Sequence, residues 1–301
     1  TVKKAQELYK ELKVFLKNKG VSVELLHSRF IKRDRSKKEE DIFKMGQLEN
    51  KENGIWVTTQ VVEASLDIDF DVLYTELSDV CGLCQRMGRV YRARDLINNE
   101  TNIFVYVGQR NEFTSGVRNG GYSIIDSQIF NLSKEAILGY SDKELNEQEK
   151  MNKDNTVYTK ENLEDSKYYK KIKEKIYETK NIKEYELRKK DVCLRHIFNQ
   201  SIIPMCIYNK ERKLIDEQLS LIRNSKSNTM VKQMAKDKIK SITVDIPLYE
   251  YEEACKKALI CGEVQINKYD KIPVVAYDYS FENGLTKPEK AEGFRSDLQF
   301  I

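Results

Sequence analysis

An α/β fold is predicted for this chain, with a parallel sheet flanked by helices, then a helical connector, then a small mixed C-terminal domain. Three observations carry this. Short apolar runs recur over the first 110 or so residues, each too short for a buried helix. Helical patterns separate those runs, which is the alternation a parallel sheet needs for its crossovers. The pattern then changes beyond Gly108, where long polar helical stretches take over.

The elements follow in order. Ala5, Leu8, Tyr9, Leu12, Phe15 and Leu16 fall on one helical face, and Gly20 follows as a stop. Residues 21–26 read as a strand, and residues 33–45 as a charged helix ending at Gly46. Residues 54–58, 72–77 and 102–107 are further short strands, with a helix expected over residues 79–91. Gly116, Gly120 and Gly121 mark a loop, and residues 123–138, 142–153 and 161–190 are Lys/Glu-rich and helical. Strand-like runs return at residues 202–208, 242–248, 263–267 and 273–279. The expected domains are a lobe over 1–110, a helical connector over 111–195 and an accessory domain over 196–301.

Composition excludes several classes. No stretch approaches the roughly 18 apolar residues of a membrane span, so no membrane partner is expected. The chain opens Thr1-Val2-Lys3-Lys4 inside an amphipathic pattern, without a secretory leader, and reads as a piece of a longer polypeptide. Six scattered cysteines make no disulfide framework, which points to a reduced, cytoplasmic setting. Cys81 and Cys84 have zinc-ligand spacing, but a structural zinc site needs four ligands. With two histidines and no second close cysteine pair, two buried thiols on a helix are expected, and no metal. The net charge of +4 comes from 52 basic and 48 acidic residues spread evenly along the chain. Any nucleic-acid contact must therefore come from a local groove, not a basic tail.

Two segments carry chemistry. The first runs Thr58-Thr59-Gln60-Val61-Val62-Glu63-Ala64-Ser65-Leu66-Asp67-Ile68-Asp69. The second is Gln85-Arg86-Met87-Gly88-Arg89-Val90-Tyr91-Arg92. On a helix the second would put Gln85, Arg89 and Arg92 on one face, with Gly88 allowing a close approach. Arginine suits a polyanion because its guanidinium is always charged, planar and multidentate. Leu25-Leu26-His27-Ser28-Arg29-Phe30 ends a strand, with Ser28 and Arg29 placed to touch backbone phosphates; His27 reads equally well as a strand-end core residue.

Together these segments resemble motifs IV, V and VI of superfamily 2 helicases, which lie in the second of two RecA-like lobes. The wording Thr-Gln-Val-Val-Glu-Ala-Ser-Leu-Asp-Ile-Asp is similar to the CRISPR-associated type I helicase–nuclease. Leu194-Arg195-His196-Ile197, Val244-Asp245-Ile246-Pro247 and Tyr277-Asp278-Tyr279 through Gly284-Leu285 extend that resemblance into the tail. It implies catalytic roles for Arg89, Arg92 and Gln85 toward ATP phosphates. It also implies nucleotide contacts from Asp67 and Ser65, and single-stranded-DNA contacts from Ser28, Arg29 and Thr59. Mg-ATP would be held mainly by a first RecA-like lobe outside these 301 residues. That lobe, an HD nuclease and a Cascade-type effector complex are the implied partners.

The absences matter as much. None of the 13 glycines precedes a lysine, so no phosphate-cradling P-loop is present. Two histidines 169 positions apart cannot supply an HD metal cluster. The isolated chain is therefore expected to be inactive. A stand-alone module binding the effector complex or another partner, and a generic superfamily 2 lobe, are the competing readings. In the tail, Tyr208, Tyr249, Tyr251, Tyr269, Tyr277 and Phe281 are read as core rings or as surfaces on which bases stack.

Overall fold

Helix α1 (Val2–Phe15) and strand β1 (Ser22–Leu26) open the computed structural model, followed by α2 (Lys32–Met45) and β2 (Gly54–Thr58). Next come β3 (Leu73–Glu76), α3 (Val80–Met87), β4 (Ile103–Tyr106) and α4 (Ser127–Leu138). Beyond a turn of helix at Lys160–Leu163 lie α5 (Lys167–Lys180), β5 (Asn199–Pro204), α6 (Met205–Lys210), α7 (Arg212–Arg223) and α8 (Thr229–Ser241). The chain finishes with β6 (Val244–Pro247), α9 (Leu248–Lys256), β7 (Ile260–Gln265), β8 (Lys271–Val275), β9 (Asp278–Ser280) and β10 (Gly284–Thr286). The structure describes residues 1–63, 66–92, 94–95, 100–108, 114, 116–117, 125–140, scattered positions from 143 to 152, 156–180 and 198–287.

The expected α/β class is what forms. β1 runs parallel to β2, from Ser22 opposite Gly54 to Leu26 opposite Thr58. β3 runs parallel to β4, from Leu73 opposite Ile103 to Glu76 opposite Tyr106. Parallel neighbours need a crossover, and the helices between them supply it. The strand ends differ from the sequence reading by a residue or two, as fraying ends do.

The residues gather into two compact units that cut across the linear division. One holds residues 43–52 and 62–196 with Thr1, and the other holds residues 2–42, 53–61 and 197–301. In the first, Leu77, Leu83 and Met87 pack with Ile125 and Phe130. The Ser133 hydroxyl accepts from the Val80 amide at 3.0 Å. Helix α4, read from sequence as connector, thus shares a core with α3.

In the second unit, Ala5 and Tyr9 of α1 pack on Val23, Leu25 and Val57 of the parallel pair. The tail forms a four-stranded sheet of order β6–β5–β8–β7. β5 is antiparallel to β6 and parallel to β8, and β7 is antiparallel to β8. Residues 202–208, read as one strand, instead turn at Pro204 into helix α6. Asp216 and Glu217, read from the sequence as part of a polar helical stretch, lie in α7, whereas α8 and α9 were not expected. Helix α7 carries Ile215, Leu219 and Ile222 on one face, and α8 and α9 turn Ala235, Ile239 and Ala254 to the same core. Ile31, just after β1, belongs to the same core as Ile202, Val244 and Val275. A segment early in the chain and the tail are therefore one folding unit.

Candidate nucleotide and nucleic-acid site

In the first unit the site is a ladder of carboxylates against guanidiniums. Asp79 caps α3 by accepting from the Gly82 amide at 2.7 Å. The helix stops at Gly88, whose amide bonds back to Cys84 and Arg86 carbonyls. Gly88 has an ordinary φ of −69°, and a Cβ there would meet only carbonyl oxygens at 3.6 Å. Among the described residues, its chain neighbours aside, no side chain approaches that position within 4 Å. Arg89 and Arg92 lie beyond the helix, correcting the single helical face expected for Gln85, Arg89 and Arg92. Gln85 stays on α3, exposed, its side-chain amide 3.6 Å from Cys81 Sγ.

What brings the arginines together is the chain's return past Phe70. The Phe70 amide donates to Arg89 O at 2.9 Å, and the Tyr91 amide donates to Phe70 O at 3.1 Å. Gly46 makes room for this loop. Asp69 N donates to Gly46 O at 2.9 Å, and a Cβ on Gly46 would stand 2.7 Å from Ile68 Cβ. A side chain there would push the loop away.

The guanidiniums then hold the loop. Arg89 donates to the carbonyls of Leu66 and Glu63, the latter at 2.9 Å. Arg92 bonds Asp67 through its guanidinium and Asp69 through its backbone amide at 3.0 Å. Arg86 bonds the Glu63 carboxylate and, at 2.9 Å, Ser78 Oγ. Arg94 reaches Asp69 at 3.1 Å and Asp71 at 2.8 Å, its guanidinium 4.4 Å from the Tyr91 ring centroid. Burial, then the neighbouring Arg92 charge, disfavour the Arg89 cation, and Asp67 opposes them. Hydrogen bonding to Asp69 leads the effects that strengthen the Arg94 cation. Arg86 Nε and Arg89 Nε are buried without a hydrogen-bond partner among the described residues. Arg89, beyond α3, thus lies against the segment that carries Asp67. Ser65 lies outside the described residues, as does His196.

Sequence reasoning missed Arg86, Arg94, Glu63 and Asp69 as members of this array. The signal was present: acids at 63, 67, 69 and 71 face arginines at 86, 89, 92 and 94, with similar spacing in both runs.

In the second unit, Thr59 lies just past the carboxyl end of β2, its amide donating to Leu26 O at 3.3 Å. Ser28 is exposed just past the carboxyl end of β1. Ligands of open α/β sheets sit at such ends. Arg29 differs from expectation. Its guanidinium is 2.6 Å from Glu250 and 15% exposed, so it is already engaged within the protein. Among the tail rings, Tyr277 is core, Tyr208 and Tyr251 pack against the core, and Tyr249 and Tyr269 are exposed. Phe281 lies under the ammonium groups of Lys37 and Lys38.

Parallel strand pairs and an arginine-rich segment against an acidic loop make up this region. Residues 1–95 match the family described as CRISPR-associated nuclease/helicase Cas3, C-terminal. That match takes in just under a third of the 301 residues. The chain is 43% identical over 90 residues to the CRISPR-associated endonuclease/helicase Cas3 of Escherichia coli K12, covering 29% of this chain and 10% of that protein. The CRISPR-associated nuclease/helicase Cas3 of Methanothermobacter thermautotrophicus is 38% identical over 108 residues, covering 35% of this chain and 12% of that protein. The fold likeness extends further: a crystal structure of T. fusca Cas3-ATP superposes with a TM-score of 0.64 at 16% identity, covering 96% of this chain and 36% of that one. The chain therefore spans just over a third of that solved chain. A similar likeness, with a TM-score of 0.59 at 16% identity, is found to a chain of a CRISPR RNA-guided surveillance complex, pre-nicking, over 96% of this chain and 38% of that one.

Proposed function

We propose that this chain supplies the second-lobe half of an ATP-dependent single-stranded-DNA translocase acting in type I CRISPR interference, alongside a first RecA-like lobe and an HD nuclease. The observation that carries this reading is the arginine array on the Glu63–Phe70 loop. It concentrates four guanidiniums, two with a buried Nε that has no hydrogen-bond partner among the described residues, beside a loop rich in carboxylates. Such an array suits a phosphate chain whose charge shifts during reaction.

In this reading Gln85, Arg89 and Arg92 face the phosphates of Mg-ATP, while Asp67 and Ser65 contact the nucleotide. Ser28 and Thr59 touch the DNA backbone, and Arg29 supports the Ser28 turn through Glu250. One related structure is of Cas3 with ATP and another belongs to a surveillance complex, which supports ATP as ligand and a Cascade-type complex as partner. The 96% fold coverage favours this over a generic helicase lobe, because it includes the tail.

The test is Arg89→Ala in the full-length enzyme. ATPase should fall by ~10² or more, because a positioned cation is lost where charge develops, and nucleotide affinity should fall much less. The isolated 301 residues, which lack a Gly-Lys-Ser/Thr loop, should show no turnover. Robust ATPase from that chain would refute the division of the site between two lobes.

A further inference from the structure

The turn that presents Ser28 is held by side chains from the tail, and the contacts are specific in shape and in proton placement. His27 is fully buried and stacks on Phe30 with ring centroids 4.5 Å apart. Its Nδ1 accepts from the Arg29 amide at 3.0 Å, which closes the turn around Ser28. Its Nε2 lies 3.2 Å from the Asn283 carbonyl. Since a carbonyl only accepts and an amide only donates, the imidazole must be neutral with its proton on Nε2.

The next residue fits the ring closely. Gly284 has φ +70°, and a Cβ there would lie 2.5 Å from His27 Cε1 and 2.9 Å from Arg29 O. The Leu285 amide donates to that same Arg29 carbonyl at 2.8 Å. Gln6 Nε2 bonds the Asn283 carbonyl at 2.6 Å, fixing the hairpin from α1. The Tyr279 hydroxyl donates to Asp34 at 2.7 Å and accepts from the Ile31 amide at 3.3 Å, fixing the far side of the turn. Ser28 alone in residues 26–30 is exposed. A turn held on both sides with one hydroxyl left outward is a presentation device.

We propose that His27 and the Asn283–Gly284 hairpin position the Ser28 turn for contact with a nucleic-acid backbone. The role rests on the reading of Ser28 as a DNA contact. His27 acts through the turn and touches no substrate. The tail is thereby a working part of the DNA site, and its Gly284 is needed because any side chain would displace the imidazole.

The experiment measures single-stranded oligothymidine-stimulated ATPase in the full-length enzyme. His27→Phe keeps the ring volume and removes both nitrogens. It should raise the DNA concentration for half-maximal activation about tenfold, well beyond any fall in kcat, since about one hydrogen bond's worth of binding is lost. His27→Asn, whose side-chain oxygen can still accept the Arg29 amide, should restore most of it. A spectroscopic readout is independent of activity. The chain has two histidines, so imidazole ¹⁵N spectra with His196→Gln as the assignment control report His27 directly. Nδ1 should be unprotonated and Nε2 protonated, and Gly284→Ala should shift both signals.

Half-activation unchanged in His27→Phe while Ser28→Ala raises it would overturn the positioning role. If neither substitution changes it, the DNA reading of this turn falls as well. A fall of kcat in step with the rise in half-activation would reduce His27 to a structural residue. Should His27→Phe fail to fold, His27→Asn and the spectrum decide.

Discussion

The Glu63–Phe70 loop in one unit and the His27–Phe30 turn in the other are both expected ligand loops, and each has a buried arginine–carboxylate pair, but their remaining ties differ. The first is held by charge. Asp67 and Arg92 are 79% and 45% exposed, so their pairing is screened by water and open to exchange. The second is held by a neutral imidazole, a left-handed glycine and the Arg29–Glu250 pair, whose side chains are 15% and 6% exposed. Lys38, 1% exposed, adds an ammonium bonded to Glu24 at 3.1 Å and seated 4.6 Å from the Phe281 ring centroid. The contrast lies in the outer pair: Arg86 and Glu63, 11% and 16% exposed, are as enclosed as Arg29 and Glu250, whereas Asp67 and Arg92 are tied by solvated ions.

The comparison breaks most visibly at Arg29. Arg29→Ala should destabilise the chain by about 3–5 kcal/mol, because it strands a buried carboxylate. Lys287 Nζ at 3.8 Å is a poor substitute for the lost partner. Arg29→Met with Glu250→Leu should recover most of that in urea unfolding. If Arg29→Ala is as stable as the parent chain, the pair is not what locks the platform.

A pH titration sharpens the same point. Burial lowers the His27 pKa from 6.5 to about 4, against the opposing pull of the Asn283 carbonyl. The folded chain thus favours the neutral ring. That contribution is fully present above pH 6.5 and is lost as pH falls toward 4. Measured against His27→Gln, the unfolding midpoint should converge on acidification. A gap constant from pH 7 to 4 would contradict the buried neutral imidazole.

The smallest stability effect belongs to the solvated loop. Asp67→Asn should change stability by less than ~1 kcal/mol, as exposed pairs do. In the full-length enzyme it should raise the KM for ATP. A large stability loss with unchanged KM would reverse the contrast between the two loops.

The strand positions through β4, the helix stops at Gly20 and Gly46, and the joint presence of Asp67, Arg89 and Arg92 could be read from residues 1–110 directly. Apolar runs bounded by glycines encode strands locally, and a motif is a local statement about backbone and charge. Helices α8 and α9 were not legible, because their buried residues, Ala235, Ile239 and Ala254, are few and find their faces only against the tail sheet. The partner of Arg29 was equally hidden, since Glu250 lies 221 positions away and nothing local marks it. Gly284 could be seen as part of a family-like signature, but not as the residue that makes room for His27. Sequence alone determined which chemistry-bearing residues lie near each other along the chain. Only tertiary packing decided which arginines stay solvated and which are locked, because burial and ion pairing depend on segments that meet after folding.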